Sequence, residues 1–303
     1  MHKTIIISGP TASGKSSLAQ AIYESAADFA IVNADSMQIY KELPILTAQP
    51  VYTKLPDHHL YGAFRYDQRC SVASWLEMAK KTIVTLHALG KTPIFVGGTG
   101  LYIKSLIYGL SDLPDIAPEV RAEIAQLFND LGIDNFYQLL QTRDPLAASR
   151  IRPSDSYRMI RAMEVFRQAG KSIVEFYDTN VSHCEERGDI IHLTLSPTRQ
   201  TLYNSCNKRF LEMVENGALE EVAAFSTLPN SSSSLLAKSL GYEYLRQYLA
   251  GEITFDQAVA LTQIQTRQYA KRQVTWFKHQ APEAVTLSDD NFAEMLKQAL
   301  SQI

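Results

Sequence analysis

The stretch TIIISGPTASGKSSLAQAIY, residues 4–23, constrains this chain more than any other. A run of β-branched residues, Thr4 to Ile7, ends in a glycine turn and passes directly into a helical pattern. Residues 9–16 read GPTASGKS, which fits the phosphate-loop spacing G-x-x-x-x-G-K-[ST] between a predicted strand and a predicted helix from Lys15 to about Ala26. Gly9 and Gly14 permit a tight loop through Pro10, Thr11, Ala12 and Ser13, whose N–H groups point inward. The helix N-terminus adds partial positive charge, Lys15 adds a full one, and the Ser16 hydroxyl suits Mg²⁺. The expected ligand is a di- or triphosphate, with a nucleotide such as ATP as the default.

The apolar runs FAIVNAD and PIFVGG follow, separated by a helical pattern near Val72 to Leu89. Strand, helix and strand in alternation predict a parallel sheet, and unbroken apolar runs predict strands covered on both faces. The expected fold class is α/β, a P-loop NTPase-like parallel sheet core. From about Pro114 to Gly188 the strand signal disappears and apolar residues recur at helical spacing: Val120, Ile124, Leu127 and Leu131, then Tyr157, Ile160, Met163 and Phe166. IIHLTL, residues 190–195, returns to the strand pattern, so residues 115–188 are expected to form a helical insertion domain. Residues 1–114 and 189–303 would form the core with a helical C-terminal region. Helices are expected from Thr198 to Gly217, onward to Pro229, and from Thr254, with a capping box to Gln257, as far as Lys278. The NSSSS run between them reads as a mobile surface loop.

The default ligand is weakened by an absence. An ATPase places an acid at the end of a second buried strand to hold Mg²⁺, yet PIFVGG ends in glycines. Asp35, in NADSMQIY, stands at the end of the second strand. A metal ligand, a general base, or a cap of the next turn are all open to it. Thr99, in VGGTG, ends the next strand, so Lys15, Ser16, Asp35 and Thr99 are expected to converge at one sheet edge.

The chain carries 29 Lys plus Arg against 32 Asp plus Glu, a net charge of -3, which argues against a globally basic nucleic-acid binder. Positive charge is nevertheless concentrated locally. No acid lies between Asp256 and Glu283, while TRQYAKRQVTWFK holds Arg267, Lys271, Arg272 and Lys278 beside aromatic residues. RIRPSDSYRMIRAMEVFR forms a second cluster, with Arg158 and Arg161 on one helix face. Three scattered cysteines point to no disulfide framework or zinc site and to a cytoplasmic setting. No stretch reaches the roughly 18 apolar residues of a membrane helix.

Taken together, GPTASGKS, NADSMQIY, VGGTGLYIKSL, SDSYRMIRAMEVF, LGYEYL and TRQYAKRQVTWFK resemble the ordered motifs of the tRNA dimethylallyltransferase (tRNA isopentenyltransferase) family. The resemblance implies transfer of a dimethylallyl group from dimethylallyl diphosphate to N6 of the adenosine 3′ to the tRNA anticodon, with Mg²⁺. The phosphate loop would then hold the leaving diphosphate. Asp35 would be the base, with Thr99 and Arg121 as further catalytic positions where the tRNA meets the active site. The family's tRNA-contacting motifs fall on Asp35, Ser36, Met37 and Gln38, and on Tyr157, Arg158, Met159, Ile160 and Arg161. They continue at Lys238, Gly241 and Tyr242, and at Arg267, Lys271, Arg272, Gln273, Thr275, Trp276 and Lys278. The implied partners are the tRNA anticodon stem-loop and dimethylallyl diphosphate, with no membrane and a monomeric chain.

The chain departs from the family pattern at Tyr157, where Gln is usual, and at Glu243, where a basic or polar residue is expected. The usual Gly-Thr-Ala-Lys-Pro appears as LTAQP, with Leu46 and Gln49, which implies a weaker phosphate or RNA contact. Three rivals predict different behaviour. A P-loop small-molecule kinase or ATPase would turn over ATP and have no need of the segment from Arg267 to Lys278. A prenyltransferase for free adenine nucleotides would not use the insertion arginines. A non-catalytic RNA-binding protein would not need Asp35.

Overall fold

The computed structural model describes residues 2–50, 57–177, 181–182, 184–289 and 291–303. In chain order the elements are β1 (Lys3–Ser8), α1 (Lys15–Ser25), β2 (Phe29–Asn33), β3 (His58–His59), α2 (Val72–Ala88), β4 (Thr92–Gly97) and α3 (Gly100–Tyr108). Next come β5 (Leu110–Ser111), α4 (Pro118–Arg143), α5 (Pro145–Arg150), α6 (Ser156–Ala169), α7 (Ile173–Tyr177) and β6 (Val181–Ser182). The remainder is β7 (Asp189–Leu195), α8 (Arg199–Glu215), α9 (Ala218–Ser226), α10 (Tyr242–Leu249), α11 (Phe255–Gln280), β8 (Val285–Leu287) and α12 (Phe292–Leu300).

These elements form two compact units. One comprises residues 1–107 and 184–303, the other residues 108–183. Both divisions fall earlier in the chain than the expected 114/115 and 188/189. The physical reason is a short antiparallel pair, β5 with β6, which lies within the helical unit at the two ends of its chain segment.

The larger unit is built on a six-stranded sheet of order β3-β2-β4-β1-β7-β8, and every neighbouring pair is parallel. Ile5, Ile6 and Ile7 are wholly buried because β1 is central and covered on both faces. Each such burial is worth about 1.5–3 kcal/mol. One face packs on Leu18, Ala19 and Ile22 of α1 and on Met295 and Ala299 of α12. The sixth strand, β8, corrects the expectation that everything after β7 is helical. Three residues without a long apolar run gave no periodic signal. The NSSSS segment lies at the surface through Asn230, Ser232 and Ser233, while Ser231–Ser233 form a 3₁₀ turn with Ser231 buried.

In the helical unit, Phe136, Leu140, Ala147, Met159, Ala162 and Val165 form the centre of a separate core. The apolar spacing through Leu131 is interrupted at Gly132, whose φ of 70° and ψ of 172° break α4. The N-cap of α6 is Asp155, which accepts a hydrogen bond from the Arg158 N–H at 3.2 Å. In the larger unit, α11 carries the expected capping box: Gln257 N–H donates to Thr254 Oγ1, and Thr254 N–H donates to Gln257 Oε1. Among the described residues no helix is long and apolar enough to cross a membrane.

Candidate active site

The register aligns three strand ends. Ser8 pairs with Gly97 across β1 and β4, and Asn33 pairs with Val96 across β2 and β4. The loops that follow therefore leave one edge of the sheet. The first is the phosphate loop, whose Gly9 has φ 140°, and a Cβ there would lie 2.7 Å from the Leu195 carbonyl oxygen. Only glycine suits both conditions. At Gly97 a Cβ would lie 2.0 Å from the Ala34 carbonyl oxygen, so the post-β4 loop can press against the post-β2 loop only without a side chain.

A cleft of about 390 Å³ opens on this edge, walled by Thr11 to Ser17, Asp35, Gln38, Thr47, Lys208, Arg209 and Gln273, among others. Lys15 is half-buried, and its Nζ donates to the Pro10 carbonyl oxygen at 2.5 Å. Burial pushes its ammonium down to about 7, with Asp35 opposing and Arg209 reinforcing the shift. The Ser13 hydroxyl is buried and has no hydrogen-bond partner among the described residues. A desolvated cation and an unpaired donor in one glycine loop are the signature of a site built for an anion.

This makes the cleft sensitive to pH. Below about 7 the free protein carries Lys15 charged, and an anion binds without proton exchange. Above about 7 the amine is largely neutral, so binding must draw a proton from solution. Calorimetry with inorganic diphosphate at pH 8, in buffers of different ionisation enthalpy, should report more proton uptake for the wild type than for Lys15→Ala, which carries the same titration of the ligand, by up to about one proton, with the difference falling towards zero near pH 6. A difference that is unchanged across this range would mean that Lys15 is not the responding group.

Asp35 is held firmly. Its N–H donates to Asn33 Oδ1 (2.8 Å), its carbonyl accepts from Asn33 Nδ2 (2.9 Å), and its Oδ1 accepts from the Met37 N–H (2.9 Å). The capping role left open in the sequence is therefore real, and the carboxylate also lines the cleft. Asn33 is fixed in turn by the Trp75 indole N–H, which donates to its carbonyl at 3.1 Å. Thr99 does not reach the cleft wall. Its Oγ1 accepts from the Ser36 N–H at 2.9 Å and approaches Ser36 Oγ at 3.2 Å, so it acts on the Asp35 loop from behind. Of the four residues expected to converge, Lys15, Ser16 and Asp35 line one cleft and Thr99 supports it.

A second cavity of about 280 Å³ shares Thr11, Asp35, Thr47 and Arg209 with the first. Its other walls include Met37, Leu46, Phe210, Met213, Lys238, Tyr269 and Arg272. Burial pushes the Tyr269 hydroxyl up, and Asp35 adds to the shift.

Arg209 was missed by sequence reasoning. It lies on α8, its guanidinium donates to Thr11 Oγ1 at 2.5 Å, and burial pushes its pKa down. A signal was available: Leu202, Cys206, Arg209, Phe210 and Met213 follow the buried stripe of an amphipathic helix, and an arginine on such a stripe needs a partner. Glu221 on α9 was missed as well. Its carboxylate accepts from the N–H groups of Ile45 and Leu46, both at 2.8 Å, and so fixes the loop that supplies Thr47.

Several residues expected to touch tRNA have side chains engaged within the protein. Met159 and Tyr242 are 0% and 1% exposed, in the cores of their units. Ile160 packs against the helical unit's core. Gly241 is the buried, left-handed N-cap of α10. Gln273 is 5% exposed and lines the cleft. Arg267 donates to Asn207 Oδ1 at 2.6 Å, and Gln38 donates to the carbonyls of Thr47 and Ala48. Lys238, Lys271, Arg272, Thr275 and Lys278 are exposed, and Ser36, Met37 and Trp276 are half-buried.

In the helical unit, Tyr157 is 72% exposed, Arg158 pairs with Asp155 and Arg161 with Glu164, each at 3.2 Å. Arg121 is exposed in the first turn of α4. At the departures from the family pattern, Glu243 pairs with Arg246 at 2.8 Å, Leu46 is buried, and Gln49 donates to the Tyr40 carbonyl at 2.6 Å.

Fold and cleft together define a P-loop α/β protein in which the glycine loop and its lysine share one cleft with a fixed carboxylate. The family described as IPP transferase matches residues 38–280, and the chain belongs to that family. The tRNA dimethylallyltransferase of Rickettsia bellii is 40% identical over 295 residues, 97% of this chain and 93% of that protein. The solved tRNA isopentenylpyrophosphate transferase of Bacillus halodurans superposes with a TM-score of 0.69 at 27% identity, covering 99% of this chain and 95% of that one. A eukaryotic dimethylallyltransferase acting on tRNA shares the fold with a TM-score of 0.80 at 24% identity, over 97% of this chain and 77% of that one.

Proposed function

We propose that this protein transfers a dimethylallyl group from dimethylallyl diphosphate to N6 of the adenosine 3′ to the anticodon of a tRNA, releasing diphosphate. The observation that carries the reading is the single cleft shared by the phosphate loop and Asp35. A leaving diphosphate and a proton acceptor must lie on either side of one reacting carbon. The N6 lone pair of adenine is delocalised, so its attack is assisted when a carboxylate takes the proton as the C–N bond forms. The electron pair of the breaking C–O bond leaves with the diphosphate, whose growing charge faces Lys15, Arg209 and the loop N–H groups. Met37, Leu46, Phe210 and Met213 beside Asp35 limit the access of water to the allylic carbon.

The donor set fits Mg²⁺ carried with the substrate. Mg²⁺ takes one or two protein oxygens together with phosphate oxygens and water. The cleft offers the Ser16 hydroxyl and Asp35, while no cluster of three or more His, Cys, Asp or Glu lies among the described residues. Ser16 would hold the ion, which when bound supplies positive charge to the diphosphate oxygens. The proposed setting is the cytoplasm, with the chain acting as a monomer.

For the tRNA, the exposed face of α11 bearing Lys271, Arg272, Thr275 and Lys278 is the proposed contact, with Lys238 nearby in sequence to the Gly-Tyr motif. On the helical unit the proposed contacts are Tyr157, Arg158, Arg161 and Arg121. Replacing Lys271 and Arg272 with alanine should weaken tRNA binding and reduce the dependence of log K on log salt by about one per charge removed. An unchanged slope would locate the RNA elsewhere.

The overall reading is tested by incubating the protein with labelled dimethylallyl diphosphate and, in parallel, tRNA, AMP or no acceptor. Label in tRNA alone is the expected result. Label in AMP, or ATP hydrolysis without any prenyl transfer, would refute it.

A further inference from the structure

Gln273 carries the departure of greatest consequence from the sequence-based expectation. It belongs to the basic segment of α11, yet its carboxamide faces inward. Its Oε1 accepts from the Thr11 N–H at 2.8 Å, and its Nε2 donates to the Gly98 carbonyl oxygen at 2.8 Å. Both partners are backbone groups with only one role each, donor at Thr11 and acceptor at Gly98. They dictate the orientation of the amide.

From these contacts we infer that Gln273 is a positioning residue, whose single carboxamide holds the phosphate loop in register with the Gly-Gly-Thr loop. The inference rests on the prenyl-transfer reading above. Gly98 leads directly to Thr99, and Thr99 Oγ1 accepts from the Ser36 N–H in the Asp35 loop. A continuous chain of contacts thus runs from the loop that would hold the leaving group to the loop that would carry the base. Gly98 is adapted to this arrangement: a Cβ there would come within 2.3 Å of Gln273 Nε2 and 3.3 Å of the Gly9 carbonyl oxygen. Lys271 and Arg272, the two residues before Gln273, are exposed on the same helix, so α11 joins a basic surface to the inner ends of both loops.

The chemistry of the amide supplies a specific test. A carboxylate at this position accepts from Thr11 but cannot donate to Gly98, and it sets negative charge against a carbonyl oxygen. A protonated carboxylic acid can again do both. Gln273→Glu should therefore lower kcat by about ten-fold or more above neutral pH. The KM for dimethylallyl diphosphate should change less, because alignment rather than binding is lost. Its rate relative to wild type should climb as the pH is lowered from about 8 to about 5.5, since burial raises a carboxyl group above its usual range. Gln273→Ala should show a low ratio at every pH.

The titratable and charged groups facing the same cleft are Lys15, Asp35, Lys208, Arg209 and Glu212. They are present in every variant, and Gln273→Ala, which adds no new charge, reports any trend they cause. A second variant stands independently of whether Gln273→Glu folds. Gly98→Ala should slow the wild-type protein by displacing the carboxamide, and should add less to Gln273→Ala, where the 2.3 Å clash is gone and only the 3.3 Å approach to the Gly9 carbonyl oxygen remains.

A flat pH ratio for a folded Gln273→Glu, a wild-type kcat for Gln273→Ala, or additive losses in the Gly98 cycle would each overturn the inference while leaving prenyl transfer intact. Absence of transfer to tRNA by the wild-type protein would remove the reading on which it rests, and the inference with it.

Discussion

Asp35→Asn should reduce the turnover of prenyl transfer by roughly 10² to 10⁴ while tRNA affinity stays almost unchanged. Asparagine keeps an oxygen that can accept from the Met37 N–H, so the loop geometry at 2.9 Å survives and only the capacity to take a proton is removed. Asp35→Ala should lose a similar factor in turnover, plus part of the loop's stability, because the cap disappears with the carboxylate. Rates are best compared in single turnover, which separates chemistry from product release. A wild-type rate for Asp35→Asn would remove the carboxylate from the reaction. Collapse of tRNA binding with a normal rate at saturation would make Asp35 an RNA-positioning group instead.

Lys15→Ala is the second large effect, a fall of roughly 10² to 10³ in kcat/KM. The ammonium is desolvated by the fold itself. Its electrostatic interaction with a diphosphate is therefore worth more than that of a lysine in water. Part of that attraction acts on bound substrate and part only as charge builds on the leaving oxygen, so both KM and kcat should suffer. Arg209 remains in the variant with its guanidinium on Thr11, which keeps the loss below that expected for an empty cradle. A change confined to KM would mean that Lys15 binds diphosphate without stabilising its departure.

How far these sites were legible depends on how local each signal is. The phosphate loop was fully readable because strand, turn and helix are encoded in one stretch of sequence. Asp35 and Thr99 were readable as strand-end residues, since the parallel sheet brings such ends to one edge. What each does there was not, because Thr99 acts through Ser36 and that contact spans 63 positions of sequence. Arg209 and Gln273 were hidden for a related reason. An arginine or glutamine on a helix looks solvent-facing by composition; the apolar stripe on which Arg209 falls says that it needs a partner, but only packing reveals which loop, 198 residues away for Arg209 and 262 for Gln273, supplies it. Gln273 was in addition obscured by its neighbours, since Lys271 and Arg272 mark the segment as an exposed basic face. The short strands β3 and β8 escaped because two or three residues carry no periodicity, and their existence depends on an available sheet edge.

The central claim is that the cleft transfers a five-carbon group rather than a phosphoryl group. The most direct measurement is nucleoside mass spectrometry of tRNA digested after incubation with dimethylallyl diphosphate, the protein and Mg²⁺. The expected product is an adenosine carrying the five-carbon group on N6, located next to the anticodon on its 3′ side and formed in proportion to the diphosphate released. Unmodified adenosine throughout, or the group on a different base or atom, would contradict it.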